Sequence, residues 1–276
     1  MNINDIVNAP FVKEYVEIID RMYLLGWDER NAGNVSYILN ESDLKPYNNQ
    51  LASKRTYALD FDGRELAGKY FLITGTGKYF RNVKKDPELT CGIIQIQPDG
   101  ASFSVLWGLR DGTRPTSELN THLYSHRERL RLSQEHRVII HTHATHLNAI
   151  SVLSELDERK LSRVLWKINT ENIIIFPEGV GIVPWEIPGN KVIGENTANK
   201  FKSFKIVLWP LHGTVACGET LDATFGLIET ANKAAEVYLM VYQLPHKLEI
   251  SDSQLRELAK AFRVEPNKEF LDAEDN

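Results

Sequence analysis

The sequence has few of the features that mark an exported or membrane protein. Its two cysteines, Cys91 and Cys217, stand far apart and form no C-x-x-C arrangement. Such a pair is typical of reduced thiols, so we predict no disulfide and a cytoplasmic location. No apolar stretch approaches the roughly 20 residues that span a bilayer. The first six residues also lack a basic segment followed by an apolar one, so no signal peptide is predicted.

An excess of basic residues is also missing. The net charge is −5 and the pI is near 5.9, whereas a nucleic-acid-binding domain usually has a basic face. Hydrophobic residues make up 42% and charged residues 25% of the 276 residues, which is ordinary for a globular protein. The sequence contains no internal repeat, low-complexity segment or clear linker. We therefore predict a single α/β domain over residues 1–276, with strands of mixed direction.

Hydrophobic periodicity locates most of the predicted elements. Helices are predicted at residues 11–26, 116–130, 145–153 and 220–243, and Ser251 to Gln254 has the pattern of a capping box that opens a last helix. Short apolar runs predict strands at residues 70–74, 93–97, 103–107, 138–140, 173–176 and 206–209. Residues 40–55 are polar and include a proline, which predicts a surface loop.

Three histidines provide the strongest chemical pattern. His141 and His143 are two residues apart in a predicted strand, so their side chains project from the same face. His212 follows a second apolar run, where a strand ends. One histidine beside a strand is usually structural, but a catalytic zinc site needs three protein ligands, and histidine is a common one. The spacing therefore predicts a metal site. A cupin-type site would need a glutamate a few residues further on, and none is present.

The other histidines have simpler interpretations. His146 lies at the start of a predicted helix and faces away from the pair. It is interpreted as a surface or capping residue, and a contact with substrate is the alternative. His122, His126 and His136 are interpreted as solvated residues of a helix or loop.

The residues alone do not decide the roles of two glycine-containing loops and two carboxylates. Gly75 to Lys78 follows a strand but lacks the glycines of a Walker A loop or a dinucleotide fingerprint. This loop, like Asn31 to Asn34, either presents donors to an anion or forms a structural turn. By pattern alone, Glu118 and Glu171 are interpreted as exposed glutamates.

Several motifs together resemble the class II aldolase/adducin family. They extend from residue 27 to about residue 230 and comprise Trp27-Asp-Glu-Arg-Asn-Ala-Gly-Asn, Gly75-Thr-Gly-Lys, Pro115-Thr-Ser-Glu, His141-Thr-His, Phe176-Pro-Glu-Gly, Leu208-Trp-Pro-Leu-His-Gly and Thr224-Phe-Gly-Leu-Ile. The resemblance implies a three-layer αβα fold with a central mixed, largely antiparallel sheet. The chain is longer than the fuculose-phosphate aldolases and ribulose-phosphate epimerases of this family.

The resemblance also implies an activity. This is the zinc-dependent, reversible retro-aldol cleavage of L-rhamnulose 1-phosphate to dihydroxyacetone phosphate and L-lactaldehyde, a step of L-rhamnose degradation. One Zn²⁺ per subunit would be held by His141, His143 and His212, with Glu118 as an additional ligand in the empty site. Proton transfer is assigned to Glu171, although in the fuculose branch the glutamate equivalent to Glu118 has that role.

The resemblance places the substrate phosphate on amide, hydroxyl and backbone N–H donors of Asn31, Gly33, Asn34, Thr76, Gly77, Thr116 and Ser117. It implies a homotetramer with four-fold symmetry and sites near subunit contacts, and a small sugar phosphate as partner rather than nucleic acid or membrane. The alternatives are a related sugar-phosphate aldolase or a pentulose-phosphate 4-epimerase of the same family, or a non-catalytic adducin-like protein.

Overall fold

The computed structural model describes residues 5–153, 157–245 and 248–272. Residues 1–4, on which part of the signal-peptide prediction rests, lie outside this range. The strands are β1 Asn34–Leu39, β2 Arg55–Ala58, β3 Tyr70–Thr74, β4 Cys91–Ile96, β5 Ser102–Gly108, β6 Val138–Thr142, β7 Gly181–Ile182, β8 Ile206–Trp209 and β9 Gly213–Gly218.

The α-helices are α1 Pro10–Leu24, α2 Glu41–Leu44, α3 Pro87–Thr90, α4 Leu119–Leu132, α5 Thr145–Ile150, α6 Glu158–Ile168, α7 Asn172–Ile175, α8 Lys191–Lys200, α9 Leu221–Val241 and α10 Asp252–Phe262. Short 3-10 helices span Ile6–Asn8, Lys45–Gln50, Arg64–Leu66, Phe80–Asn82 and Lys268–Phe270. Within the described ranges, no helix is both long and apolar enough to cross a membrane.

The described strands form a single nine-stranded sheet in the order β2-β5-β4-β3-β1-β6-β9-β8-β7. Neighbouring strands are antiparallel except for β7 and β8, which are parallel. The mixed, largely antiparallel sheet predicted from the resemblance is therefore confirmed. β1 lies at the centre of the sheet, and its Asn34 pairs with His141 of β6.

Helices cover both faces of the sheet. Along β1, Tyr37 and Leu39 belong to one hydrophobic core, whereas Ile38 belongs to the other. This alternation follows from the two-residue period of a strand. The larger core includes buried residues of α1, α5, α6 and α9, and the smaller core includes residues of α4, against which α8 packs. The arrangement is the three-layer αβα fold that was predicted.

Most predicted elements agree with the structure, including the strands at residues 70–74 and 206–209 and the capping box, in which Ser251 and Gln254 bond each other's backbone N–H. The strand predicted at residues 173–176 is wrong, because this segment lies in helix α7 and ends at Phe176. A short apolar run fits a buried strand and a buried helical turn equally well. The loop predicted at residues 40–55 contains α2, which Asn40 and Asp43 cap.

The sequence prediction missed several elements that surround the site. β1 is buried at all six positions, although two of them, Asn34 and Ser36, are polar and weaken the apolar signal of a buried strand. β9 is also buried nearly throughout, and its small residues give a weak strand signal. Because β1 and β9 flank β6, they supply the backbone that holds His141 in place.

Candidate metal centre and active site

The structure brings the three predicted ligands together. His141 is the penultimate residue of the buried strand β6, His143 lies just beyond that strand, and His212 lies on the turn between β8 and β9. Each imidazole offers one nitrogen such that these atoms all lie within 4.8 Å of one another. Thr142 lies between the paired histidines and points the other way, where its hydroxyl donates to both carboxylate oxygens of Asp28 at 3.0 and 3.1 Å.

Hydrogen bonds to Nδ1 orient two of the imidazoles. Nδ1 of His141 lies 3.1 Å from the carbonyl oxygen of Thr214, to which it donates, and Nδ1 of His143 lies 2.9 Å from Oε1 of Glu29. Proteins commonly fix metal-binding histidines in this way, because a proton on Nδ1 leaves the lone pair on Nε2 for the ion. Both rings therefore present Nε2 to the centre of the cluster.

His212 is held by its backbone. Its N–H donates to Trp209 O at 3.0 Å and its carbonyl accepts from Asn148 Nδ2 at 3.1 Å. Leu211 before it adopts a left-handed conformation with φ of 64°, which is uncommon for a branched residue and marks a tightly constrained turn. The Nδ1 of His212 is buried and has no hydrogen-bond partner among the described residues. A ring nitrogen in this state fits a ligand whose partner is a metal ion.

Burial also sets the protonation state of the cluster. Burial, together with charge repulsion from the neighbouring imidazoles, lowers the pKa of His141 to about 3 and that of His212 to about 4. Both rings are therefore neutral near pH 7, which is the form that binds metal. The donor set fits a divalent transition metal.

Glu118 completes one side of the cluster. It is only 7% exposed, so its interpretation from pattern alone as an exposed glutamate is wrong. Its Oε2 lies 3.8 Å from Nε2 of His141 and accepts a hydrogen bond from Nδ2 of Asn34 at 3.0 Å. The position agrees with the additional metal ligand that the resemblance implies.

Glu171 lies elsewhere in the single chain. It is exposed, precedes α7, and lines a pocket of about 560 Å³ together with Trp27, His146 and Asn232. The lining of this pocket does not include the three histidines, and no contact links Glu171 to the cluster within the described residues. His146 is half-buried, and its backbone N–H donates to Oδ1 of Asn232 at 2.9 Å.

Two of the loops predicted to bind phosphate lie side by side. The N–H of Thr76 donates to Arg114 O, and the N–H of Thr116 donates to Thr74 O, both at 2.9 Å. Thr76, Thr116 and Ser117 line a common pocket of about 340 Å³. Gly77 is exposed with φ of 67°, a left-handed conformation that glycine adopts without strain. The nearby Lys78 forms an ion pair with Asp111.

The third loop precedes β1. Asn31 is exposed, whereas Gly33 has φ of 76° and a Cβ there would lie 2.0 Å from Oδ1 of Asp28. Asn34 is buried, and its amide contacts Glu118 on one side and His122 on the other. The Asn34 side chain thus links the carboxylate beside the histidine cluster to His122.

The interpretation of three further histidines as solvated residues is wrong. His122, His126 and His136 are between 0 and 9% exposed. Burial lowers the pKa of His122 to about 3, that of His136 to about 4, and that of His126 well below its usual value. The first two lie on the face of α4 that packs on β1, whereas His136 accepts a hydrogen bond from Arg129. Which face of α4 is buried depends on this packing, so the sequence pattern did not predict it.

Comparison with known proteins decides the family. The model of the Class II Aldolase and Adducin N-terminal domain matches residues 13–239. A rhamnulose-1-phosphate aldolase of Listeria monocytogenes is 48% identical over 268 residues, which cover 97% of this chain and 98% of that protein. A rhamnulose-1-phosphate aldolase of Klebsiella pneumoniae is 43% identical over 270 residues, with coverage of 97% and 98%. The chain belongs to the class II aldolase and adducin family.

Solved structures of class II aldolases agree with this fold. A sugar-phosphate aldolase of Thermotoga maritima superposes with a TM-score of 0.74 at 31% identity, over 85% of this chain and 96% of that one. An L-fuculose 1-phosphate aldolase, at 17% identity and a TM-score of 0.60, shows the same fold over 91% of this chain and 95% of its own. Class II aldolases depend on a metal, and the histidine cluster of this chain is suited to bind one. Both cysteines are free and buried.

Proposed function

We propose that this class II aldolase catalyses the zinc-dependent, reversible cleavage of L-rhamnulose 1-phosphate to dihydroxyacetone phosphate and L-lactaldehyde, in L-rhamnose degradation. The observation that carries the proposal is the convergence of three histidines and a buried glutamate, Glu118, which directly follows the hydroxyl-bearing residues Thr116 and Ser117. The name shared by relatives that match nearly the whole chain supports this choice of substrate.

His141, His143 and His212 would hold the ion through ring nitrogens, and Glu118 would add an oxygen ligand until substrate replaces it. When bound, Zn²⁺ supplies a Lewis acid for the negative charge that develops on the ketose oxygens as the carbon–carbon bond breaks. Glu29 and the Thr214 carbonyl keep His143 and His141 in place. Because the ion would stabilise this negative charge, the site needs no lysine for a Schiff base.

The phosphate of the substrate binds to the loops at the ends of β3 and before α4. Thr76, Thr116 and Ser117, which all carry hydroxyl groups, line one pocket, and the exposed Gly77 and Asn31 offer further donors. Such neutral donors bind a dianion by charge-assisted hydrogen bonds. Gly33 and Asn34 contribute by their backbone and by fixing the loop against Asp28 and Glu118.

Proton transfer at the carbon released by cleavage is assigned to Glu171, as the resemblance implies. The carboxylate is exposed and does not contact the histidine cluster of its own chain. The assignment therefore goes together with a homotetramer whose sites lie near subunit contacts, because such contacts offer a route by which an exposed group reaches a site.

The proposal is tested by incubating the purified protein with L-rhamnulose 1-phosphate and measuring both products. Release of dihydroxyacetone phosphate and L-lactaldehyde in equal amounts supports the aldolase. A new pentulose phosphate formed from L-ribulose 5-phosphate, without cleavage of L-rhamnulose 1-phosphate, would instead identify a 4-epimerase. If the protein binds metal but catalyses neither reaction, the result would favour the adducin-like alternative.

A further inference from the structure

A line of buried polar side chains leads from the metal centre into the interior between β1 and α4. Nδ2 of Asn34 donates to Glu118 at 3.0 Å, and Oδ1 of Asn34 lies 2.5 Å from Nε2 of His122. Nδ1 of His122 lies 2.6 Å from the hydroxyl of Ser36, which in turn lies 2.7 Å from Nε2 of His126. None of the proposed catalytic steps uses either histidine.

The regular spacing of the two elements produces this line. Asn34 and Ser36 are two residues apart on β1 and project from the same face, and His122 and His126 are one helical turn apart on α4. The members of the line are between 0 and 7% exposed. Since a buried polar atom without a partner is costly, each donor and acceptor along the line is constrained by its neighbours.

These constraints allow only one direction of hydrogen-bond donation along the line. A carboxylate has only acceptor oxygens, so Asn34 must turn its NH₂ group to Glu118 and its carbonyl oxygen to His122. The ring of His122 must then donate from Nε2, which leaves Nδ1 to accept the hydroxyl proton of Ser36. The hydroxyl oxygen in turn accepts from Nε2 of His126.

The far end of the line agrees with this direction. Nδ1 of His126 is buried and has no partner within the described part of the chain. In the inferred tautomer this nitrogen carries a lone pair and no proton, so no N–H group is left unpaired. Burial keeps both histidines neutral by lowering their pKa, which gives each ring a single proton to place.

We propose that His122 is a positioning residue for Glu118, because its Nε2–H keeps the NH₂ group of Asn34 turned toward the carboxylate beside His141. The reverse orientation of the amide would place its carbonyl oxygen against Glu118, and two acceptors would then repel each other. Ser36 and His126 act one step further back by keeping the proton of His122 on Nε2. The inference rests on the proposed function in so far as Glu118 belongs to the metal centre.

The first test compares two substitutions of His122 in the full-length protein. Glutamine offers an NH₂ group near the position of Nε2, whereas leucine offers no donor. Outer-shell partners of metal ligands typically contribute 10–100-fold to metal affinity. We expect His122→Leu to weaken zinc binding within that range, measured by competition with a chromophoric chelator, and His122→Gln to restore most of the loss. Equal losses in both variants, or no loss in either, would overturn the proposal.

A matched pair of serine substitutions separates positioning from general destabilisation. Ser36→Ala removes a buried hydroxyl of the line, and Ser104→Ala removes a buried hydroxyl of β5, which contacts Thr56 instead. We expect only Ser36→Ala to weaken zinc binding, by several-fold. An equal effect of Ser104→Ala would show that any buried hydroxyl matters and would overturn the proposal.

A measurement that needs neither zinc nor substrate distinguishes a failure of this inference from a failure of the proposed function. Nitrogen-15 NMR of ring-labelled histidines, recorded on the metal-free protein and assigned by substitution, reports which ring nitrogen carries the proton. The proposal requires the proton on Nε2 in both His122 and His126. A proton on Nδ1 of His122 would overturn it, even if the protein proved to be an aldolase.

Discussion

Replacing Glu29 tests how far the metal centre depends on a residue that is not itself a ligand. Its Oε1 lies 2.9 Å from Nδ1 of His143, and no other side chain holds that ring nitrogen in the described structure. In Glu29→Ala the ring can take the other tautomer, with its proton on Nε2, which removes the lone pair from the cluster. The corresponding partner of His141 cannot be removed by a substitution, because it is the backbone carbonyl of Thr214.

The size of the expected loss in zinc affinity depends on how exposed this carboxylate is. The side chain of Glu29 is 69% exposed, so water can replace much of its hydrogen bond. A hydrogen bond of this kind is worth about 0.5–1.5 kcal/mol, whereas outer-shell partners of metals contribute about 10–100-fold in affinity. We therefore expect a loss of about 10-fold in zinc affinity for Glu29→Ala. Glu29→Gln retains an acceptor and should lose less.

Zinc affinity is measured by chelator competition, and dihydroxyacetone phosphate release is measured at saturating zinc. Glu41→Ala is the matched control, because Glu41 is an exposed glutamate at the start of α2. An affinity for Glu29→Ala equal to that of the control would refute the reasoning, since His143 would then be oriented without the carboxylate.

Three further predictions concern the ligands, the acid–base group and pH. His141→Ala and His212→Ala should each abolish bound zinc and activity together, and full metal content by elemental analysis in either variant would reject that ligand. Glu171→Gln should keep zinc but lose turnover, whereas retained turnover there with loss in Glu118→Gln would reverse the two roles. Burial lowers the pKa of His122, His126, His136, His141 and His212, so the unfolded chain binds more protons below about pH 6.5 and stability falls with acidification. Urea unfolding of metal-free protein should therefore show a lower free energy of unfolding at pH 5 than at pH 7.5, and equal values would contradict this.

The metal ligands could be predicted because their signal is local. Alternation along a strand places His141 and His143 on one face, and the apolar run before His212 marks the end of another strand. The order of strands is not local, and it is the pairing of β6 with β9 that sets Thr214 beside His141. The assignment of a single domain over residues 1–276 stays a prediction.

The supporting residues could not be predicted for a related reason. Nothing in the spacing of His122 and His126 distinguishes a solvated helix face from a buried one, and only the packing of α4 on β1 decides between them. Glu29 has no periodic signal at all, since its role depends on the path of the segment between α1 and β1. Glu118 was recognised as a site residue only through the resemblance, and its burial follows from its contact with Asn34.

The most direct test of the account is the dependence of dihydroxyacetone phosphate release on zinc at this histidine cluster. The purified protein is assayed with L-rhamnulose 1-phosphate before chelation, after chelation and after zinc is added back, beside His212→Ala treated in the same way. We predict that activity is lost with the metal and restored by zinc in the parent protein, and that zinc restores nothing in the variant. Undiminished release after complete removal of metal would contradict the account.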